Sequence, residues 1–285
     1  MKIGILTSIE TRHRYFVQAL REAFDVVAVG YERTGYNPAA TEGLALEDGE
    51  KQVVAAHFAE RERQETRHFG DRSGWMPEGG PCRVQQIAPG ELNSPDTVAF
   101  LRGAAIDVLV VYGTNLIRAP LLTTWSGRII NLHLGLSPYY RGTATNFYPL
   151  LNEEPQYVGA TIHLIDAGID SGPIFRHARP EIVIDDAPHT IGCKAILAGI
   201  EAMIAALRDW EEGRVESVPQ WKPPGAKLYL RRDYHPRQVV ELYRKLDAGL
   251  IPQYVERMRE EGNHVRLVTP ESELLSVTSE PRGGA

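Results

Sequence analysis

The sequence predicts an α/β fold, in which a mostly parallel, twisted, Rossmann-like sheet has helices on both faces and a short α/β C-terminal extension follows. Three observations predict this fold. The first 30 residues alternate between strand, helix and strand patterns. A nearly unbroken apolar run, residues 106–113 (IDVLVVYG), is typical of a central parallel strand that is covered on both faces. A wide apolar stripe at helical spacing over residues 189–210 predicts a long helix that covers such a sheet.

The N-terminal elements follow from periodicity. Residues 2–7 form a short β-rich run, residues 13–23 place apolar side chains at helical spacing, and residues 25–30 form a second apolar run. The turn between the first strand and the helix, TSIETRH, contains no glycine. Dinucleotide-binding turns need glycines so that the backbone can approach the pyrophosphate. The sequence therefore does not favour a nicotinamide cofactor.

Residues 31–95 form a polar, less periodic insertion. A helix is predicted over residues 44–67, whose mixed charges indicate a solvated face. His57 and His68 lie eleven residues apart in this region, a spacing that does not suit a shared metal ion, so we expect structural or surface roles for both. Proline and glycine predict loop over residues 76–95, interrupted by a short strand at 83–87.

The second half of the chain continues the α/β pattern. Ser94 is placed to cap a helix over residues 96–104. After the apolar run at 106–113, further strands are predicted at 128–133, 159–166 and 173–183.

The composition changes after Gly213. A proline-rich connector with a short strand precedes an amphipathic helix, residues 236–250, that Gly249 ends. A strand at 264–268 and a disordered tail are predicted after it. We therefore expect a catalytic domain over residues 1–213 and a small C-terminal extension over residues 214–285.

Composition excludes several classes of function. The chain has 285 residues and a net charge of −6, and its acids and bases are interspersed, so no nucleic-acid partner is expected. Cys82 and Cys193 are isolated from each other, which predicts neither a disulfide framework nor a zinc site. The N-terminus turns polar after Leu6 and no apolar run approaches a membrane span, so we expect a cytoplasmic protein with no membrane partner. The oligomeric state is left open, and a homodimer is one option.

Candidate catalytic residues gather at strand ends. Asn131 and His133 are two residues apart at the end of a predicted strand, so they point to the same side. Asp166 and Asp170 follow a neighbouring strand among glycines. Ligands of open α/β sheets bind outside the carboxyl ends of the strands. His163, which alternates with apolar residues, is expected to be a hydrogen-bonded structural residue.

An amide, an imidazole and a carboxylate that converge in this way suit acyl transfer. The amide stabilises an oxyanion, the imidazole shuttles a proton, and the carboxylate sets the charge of the imidazole. Ser137 lies in the loop but has no strand-to-helix elbow around it, which favours direct transfer to a bound nucleophile. From the residues alone, structural roles for a buried Asn and His remain the alternative.

The stretch NLHLGLSPYYRG, residues 131–142, resembles the folate-dependent formyltransferase family, as do Gly159, Thr161 and His163 and the later stretch DAGIDSG. The family motif is Asn-x-His-x-Ser-Leu-Leu-Pro, then an aromatic, a basic residue and Gly, and later an Asp-x-Gly loop. The resemblance covers residues 106–182 well and the N-terminal part more loosely. The family includes glycinamide ribonucleotide, methionyl-tRNA and sugar N-formyltransferases.

The resemblance implies roles for particular residues. Asn131 would stabilise the oxyanion, His133 would hydrogen-bond the formyl oxygen, and Asp170 would pair with His133 and relay protons. The donor would be 10-formyltetrahydrofolate. Its pterin would lie between two short segments: Asn115, Leu116, Ile117, and Asp166, Ala167, Gly168, Ile169.

An acceptor amine would bind on the other side of the catalytic loop. The candidates are residues of the first turn and residues that follow the catalytic motif: Arg12, His13, Tyr139, Tyr140, Arg141, Asn146. Arg12 and His13 begin a helix, where anions are favoured. An exposed loop pair is the alternative for these two residues, and packing is the alternative for the tyrosines.

The sequence also departs from the family motif. Gly135 replaces the usual Ser and Ser137 replaces a Leu, which predicts looser packing of the catalytic loop. The first turn lacks the glycines with which the ribonucleotide enzyme holds its phosphate, and the C-terminal part is too short for the barrel of the tRNA enzyme. The sugar enzymes of the family have this core plus a short C-terminal extension, so the resemblance implies an N-formyltransferase for a small primary amine, first of all an amino sugar, including a nucleotide-linked one. The alternatives are a formyltetrahydrofolate hydrolase and a non-catalytic folate-binding relative.

Overall fold

The computed structural model describes residues 1–33, 37–71 and 81–269. Nine strands are present in these ranges: β1 (Lys2–Thr7), β2 (Asp25–Glu32), β3 (Arg83–Ile87), β4 (Val108–Tyr112), β5 (Ile129–Leu134), β6 (Tyr140–Gly142), β7 (Ala160–Leu164), β8 (Ile174–Ala178), β9 (Lys227–Tyr229). The same ranges contain eight α-helices: α1 (Thr11–Ala23), α2 (Asp48–Phe69), α3 (Pro95–Gly103), α4 (Leu121–Thr124), α5 (Phe147–Leu151), α6 (Pro188–Glu211), α7 (Arg237–Asp247), α8 (Leu250–Glu261).

Seven strands form one sheet in the order β3-β2-β1-β4-β5-β7-β8. Neighbouring strands from β3 to β5 are parallel, and β7 is antiparallel to both β5 and β8. One apolar core includes α1 and α6 on one face of the sheet, and a second includes α3 and Trp125 on the other. The predicted mostly parallel α/β sheet, covered on both faces, is therefore confirmed.

Several predicted elements match the structure closely. Strands β1 and β3 have the predicted bounds, and the Ser94 hydroxyl accepts a hydrogen bond from the Thr97 N–H at the start of α3. The polar insertion contributes the edge strand β3 and the helix α2. Helix α2 packs against α1, α6 and α7, so this region is part of the main body around the sheet.

Helix α6 requires a correction. Among the described helices it is the one that is long and apolar enough, by length and composition alone, to cross a membrane. The expectation that no apolar run approaches a membrane span is therefore wrong for this segment. Half of its most apolar window is buried, and the helix packs against β5, β7 and β8. The apolar stripe that meets the membrane criterion is the one that covers the sheet.

The C-terminal region returns to the catalytic loop. Strand β9 pairs in parallel with β6, which lies within that loop. The predicted amphipathic helix is α7, and α8 begins directly after Gly249, a second helix that periodicity did not reveal. The strand predicted at 264–268 is absent from the described residues. The hydrogen bonds of that segment are separate contacts with Asn263, Tyr139 and His177, which do not form a strand ladder. The predicted disordered tail lies outside the described residues.

Candidate active site

Strand β5 delivers two of the three candidate catalytic side chains. Its parallel neighbour is β4, and its antiparallel neighbour is β7, where Asn131 lies opposite His163. Asp170 comes from the loop after β7 and has a φ of 45°, a left-handed conformation that non-glycine residues adopt at a cost in energy. The backbone therefore holds Asp170 in a strained position that brings its carboxylate to the end of β5.

The three predicted residues meet in one hydrogen-bonded group. The Asn131 amide Nδ2 donates to Asp170 Oδ1 at 3.2 Å and to His163 Nε2 at 3.1 Å. His133 Nδ1 lies 3.4 Å from Asp170 Oδ2, which also accepts a hydrogen bond from the Gly142 N–H at 2.9 Å. The amide, the imidazole and the carboxylate thus converge, as the motif predicts.

The charges of this group follow from burial and contact. Burial alone would raise the pKa of Asp170, but the neighbouring histidine rings and the Gly142 N–H outweigh burial and hold that pKa below its usual range. Burial lowers the pKa of His133, which Asp170 partly opposes. An ionised carboxylate therefore faces a neutral imidazole. His133 Nε2 also lies 3.1 Å from the Tyr140 carbonyl oxygen, so a proton taken up by the ring has an acceptor at each nitrogen.

His163 is a member of this group that motif reasoning treated only as structural. Its Nδ1 lies 2.7 Å from the Leu164 carbonyl oxygen, to which it donates a hydrogen bond. In a neutral ring this leaves Nε2 as an acceptor, the role that the contact with Asn131 requires. The predicted hydrogen-bonded role is confirmed, and the bond orients the catalytic amide.

The loop after β5 is tightly packed, contrary to the expectation from its motif departures. Gly135 has a φ of 133°, and a Cβ at this position would lie 2.6 Å from Thr145 Cβ and 3.0 Å from His133 Nε2. The Gly135 N–H donates to the Gly159 carbonyl at 2.7 Å, and its own carbonyl accepts from the Thr161 hydroxyl at 2.6 Å. A serine would collide here, so glycine allows the loop to pack against the His133 ring.

A cleft of about 700 Å³ opens onto the catalytic group. Most of the residues predicted to hold the pterin line it: Asn115, Leu116, Ile117, Asp166, Gly168, Ile169. Ala167 is exposed and is not among the lining residues. The buried Glu32 carboxylate accepts hydrogen bonds from the backbone and side-chain N–H groups of Asn115, a contact from β2 that the sequence did not indicate.

The sequence also matches known proteins. A profile described as "Formyl transferase" matches residues 40–207, which is more than half of the chain. The chain belongs to the formyl transferase family. The methionyl-tRNA formyltransferase of Synechococcus elongatus is 28% identical over 165 residues, which cover 55% of this chain and 50% of the relative. That of Anaeromyxobacter sp. is 33% identical over 139 residues, which cover 48% and 44%. The chain thus spans about half the length of the curated relatives it matches.

Solved structures share the fold of this formyl transferase. A sugar N-formyltransferase from Shewanella sp. superposes with a TM-score of 0.55 at 17% identity, covering 86% of this chain and 88% of that one. A phosphoribosylglycinamide formyltransferase from Anaplasma phagocytophilum gives 0.53 at 13% identity, with 81% and 97% covered. At these identities the likeness concerns the fold.

Two of the predicted acceptor residues line the cleft but already have partners. Arg12 Nη1 lies 2.6 Å from Glu65 Oε1, and His13 Nδ1 lies 2.6 Å from Glu10 Oε2. Burial and the nearby Arg12 lower the pKa of His13, so its ring is neutral. Arg12 is therefore a paired cation and His13 a neutral ring, so neither is an unpaired cation for an anionic acceptor.

The aromatic residues after the catalytic motif do not form an acceptor wall. Tyr139 and Tyr140 are buried in an apolar cluster, where the Tyr139 hydroxyl donates to the Arg266 carbonyl and the Tyr140 hydroxyl contacts Glu154. Neither tyrosine nor Arg141 lines the cleft, whereas Asn146 does. The prediction placed the tyrosines by sequence proximity, but the turn at β6 directs both rings into the core.

Two contributions to the site come from regions that the motifs did not indicate. Gln220, in the C-terminal region, donates from Nε2 to the carbonyl oxygens of Asp170 at 2.8 Å and Gly172 at 2.9 Å. It therefore fastens the loop that positions the catalytic carboxylate. Helix α2 also lines the cleft, with His57, for which a structural or surface role had been expected.

The cleft offers neither a metal site nor an activated thiol. Among the described residues, no group of three or more histidine, cysteine or carboxylate side chains could hold a metal ion. Cys193 lines the cleft, but burial raises the pKa of its thiol to about 12, so it stays protonated. Ser137 is fully buried and does not line the cleft.

Proposed function

We propose that this protein transfers a formyl group from 10-formyltetrahydrofolate to the primary amine of a small molecule, with an amino sugar as the first candidate. The observation that carries the proposal is the convergence of three side chains at one edge of the cleft, where Asn131 Nδ2 and His133 Nδ1 lie 3.2 Å and 3.4 Å from the Asp170 carboxylate. Family membership supports the reaction class.

The residues of the folate side suit a flat heterocycle. Leu116 and Ile117 provide apolar contact, and the backbone beside Asn115 and Gly168 provides hydrogen-bonding groups for the edge of the ring. Leu116 is 45% exposed, which is high for a side chain of its size and fits a position that a ligand covers. When bound, 10-formyltetrahydrofolate supplies the formyl carbon that the amine attacks.

The side chains act on the charges that this attack generates. Asn131 Nδ2 donates to the oxyanion that develops on the formyl oxygen, exchanging one of its present hydrogen bonds for this contact. His133 takes up a proton from solvent and donates from Nε2 to the same oxygen in exchange for its contact with the Tyr140 carbonyl, while Asp170 stabilises the charged ring. Asp170 also accepts the amine proton through water, because its carboxylate is ionised at neutral pH. The bond between the formyl carbon and the donor nitrogen would then break, and that nitrogen would receive the proton, so that tetrahydrofolate leaves as a neutral amine.

The C-terminal region completes this site in our proposal. We assign residues 1–213 to the catalytic domain and residues 214–285 to a small extension that supports it. The contacts of Gln220 with the Asp170 loop and the pairing of β9 with β6 support this assignment. Helix α2 contributes His57, Phe58, Arg61 and Glu65 to the lining of the cleft, and we assign this part of the cleft to the acceptor.

Incubation of the protein with 10-formyltetrahydrofolate tests the reaction. We expect tetrahydrofolate to be released only when a primary amine is added, together with formation of the formamide. Release without an amine would instead identify a hydrolase, and saturable binding without release would identify a binding protein.

Two variants test the proposed chemistry. Asn131→Ala and His133→Ala should retain the circular dichroism spectrum of the wild type and lose formyl transfer, since one oxyanion donor is worth about 10²–10³ in rate. Near-wild-type turnover in either variant would contradict the mechanism.

A further inference from the structure

The part of the cleft lined by α2 contains two buried imidazoles with incomplete hydrogen bonding. His57 of α2 and His189 of α6 are only 7% and 8% exposed, and their ring centroids lie 4.3 Å apart. Within the described part of the chain, His57 Nδ1 and His189 Nε2 have no hydrogen-bond partner. Buried polar atoms normally have partners, and these two rings line the cleft, so a ligand that binds there would complete their bonds.

Two further polar groups of the cleft are also buried without a hydrogen-bond partner among the described residues. The Tyr112 hydroxyl and the Asn146 amide Nδ2 are buried without a partner among the described residues, and both side chains line the cleft. All four groups are uncharged side chains at neutral pH, and a hydroxyl group can donate to or accept from each of them.

The charged groups of the same cleft already have partners. Glu65 Oε1 lies 2.6 Å from Arg12 Nη1 and 3.7 Å from Arg61 Nε, and the Arg61 guanidinium lies 5.0 Å from the centre of the Phe58 ring. Among the described lining residues, three arginines face four carboxylates. The cleft therefore carries no excess of positive charge for a phosphate, which proteins usually bind through arginine or lysine.

Apolar side chains complete this part of the wall. Phe58 and Phe147 contact the His57 ring edge to face, with centroids 5.0 Å and 6.4 Å away, and Leu242 lines the cleft beside them. Sugar rings present hydroxyl groups at their edges and C–H groups on their faces. The unpartnered polar groups of the cleft can hydrogen-bond the hydroxyl groups, and the apolar side chains can pack against the C–H groups.

We propose that His57, His189, Tyr112 and Asn146 form the acceptor subsite, and that the acceptor is a hydroxylated amine without a phosphate group, such as a free amino sugar. This inference rests on the proposed formyl transfer and narrows its substrate class, because it excludes nucleotide-linked and phosphorylated amines. The helix of the 31–95 insertion thereby sets which acceptor is used.

Matched pairs of amines test the substrate class. The probes are glucosamine, galactosamine and mannosamine, each compared with its phosphate ester and with one UDP-linked amino sugar, at saturating 10-formyltetrahydrofolate. We expect kcat/KM for at least one free sugar to exceed that of its phosphate ester tenfold or more. A preference for the phosphorylated or UDP-linked amines, or no transfer to any free sugar while those react, would overturn the proposal.

Imidazole resonances test the subsite without the reaction. Titration of the protein with the free sugars, in the absence of the donor, should shift the ring C–H signals of His57 and His189. Shifts without any formyl transfer would retain the subsite and refute the proposed reaction. Transfer without any shift of these signals by any free sugar would refute the subsite and retain the reaction.

Variants of the two histidines separate binding from chemistry. His57→Phe and His189→Gln should each raise KM for the amine about tenfold, the effect of one lost hydrogen bond, while kcat and KM for the donor stay near wild type. His68→Phe is the matched control, since His68 lies on the same helix, does not line the cleft and bonds its own helix backbone at Gln64. An unchanged KM in both cleft variants would overturn the proposal.

Discussion

The two ends of the cleft differ in how their polar atoms are satisfied. At the catalytic end, the Asn131 amide, both Asp170 oxygens and both His133 nitrogens face partners within the protein. At the α2 end, His57 and His189 each have a ring nitrogen without a partner among the described residues.

This difference indicates a division of tasks within one cleft. Groups that stabilise a transition state act best when the protein fixes their orientation in advance, because no reorganisation is then needed during the reaction. Groups that select a substrate gain discrimination when only the correct ligand satisfies them. We infer that β5 and the loop after β7 carry the chemistry, whereas α2 and α6, together with Tyr112 and Asn146, provide the specificity.

The largest expected effect comes from Asp170→Asn, which removes the charge opposite His133 and keeps an oxygen for the Gly142 N–H. Loss of proton transfer should reduce kcat by about 10²–10⁴, with a changed pH–rate profile. The measurement is steady-state turnover between pH 5 and 9. Asp96→Asn, an exposed carboxylate in α3, is the control. An unaltered profile in the Asp170 variant would contradict its proton role.

Gly135→Ala tests whether the catalytic end depends on tight packing. The added Cβ would meet Thr145 and the His133 ring and would occupy a strained φ, so we expect a loss of about 1–3 kcal/mol in the free energy of unfolding together with reduced kcat. Gly127→Ala also has a positive φ but has open space around it, and it should cost less and leave kcat unchanged. Equal effects on kcat in the two variants would show that contact with His133 is unimportant.

The third prediction concerns His177, which links the catalytic loop to the C-terminal region. Its Nε2 donates to the Ser137 carbonyl at 2.7 Å and its Nδ1 accepts from the Val268 N–H at 2.8 Å, and burial lowers its pKa to about 4. In the unfolded chain His177 takes up a proton near pH 6.5, whereas in the folded chain it does so only near pH 4. The contribution of neutral His177 to the free energy of unfolding is therefore fully present above pH 6.5 and decreases as the pH falls below that value.

Lowering the pH from 7.5 to 5 should therefore reduce the free energy of unfolding by about 2 kcal/mol through the titration of His177. Urea unfolding at both pH values measures the difference, which should shrink in His177→Gln by about that amount. His264→Gln, at an exposed histidine, is the control. A pH dependence that His177→Gln leaves intact would show that other groups are responsible.

The smallest expected effect comes from Gln220→Ala, which removes two hydrogen bonds to the Asp170 loop and leaves the catalytic residues in place. Together two such bonds contribute on the order of 1–2 kcal/mol to holding the loop in position, so kcat should fall about tenfold. Gln253→Ala, at an exposed position in α8, provides the comparison. Full activity in the Gln220 variant would mean that the extension does not support the carboxylate.

Local patterns were sufficient for the strands of the seven-stranded sheet and for the candidate catalytic group. The period of residues 2–7 and 83–87 reveals two strands of the sheet, and the strand-end rule brings Asn131 and His133 together with Asp170. These predictions succeed because the residues that specify each strand and each strand end lie close together in the sequence. Helix α8 was missed because Gly249, with a φ of 92°, ends one helix and immediately precedes another.

Contacts between distant segments could not be predicted in the same way. Glu32 reaches Asn115 across 83 positions and Gln220 reaches Asp170 across 50, and no periodicity records such pairs. His57 appeared to be a surface residue because the charged residues around it dominate the pattern of its helix. Its burial depends on α6 and α7, which pack against α2 from much later in the chain.

The pairing of β6 with β9 has a consequence for biosynthesis. During translation, residues 131–170 leave the ribosome well before Gln220 and Lys227, which later fasten the Asp170 loop and the strand beside it. A nascent chain that stops near residue 213 therefore contains every proposed catalytic side chain but lacks Gln220 and β9, which hold the Asp170 loop and β6. We expect the chain to become active only when this later segment has left the ribosome, so that incomplete chains would not consume the formyl donor.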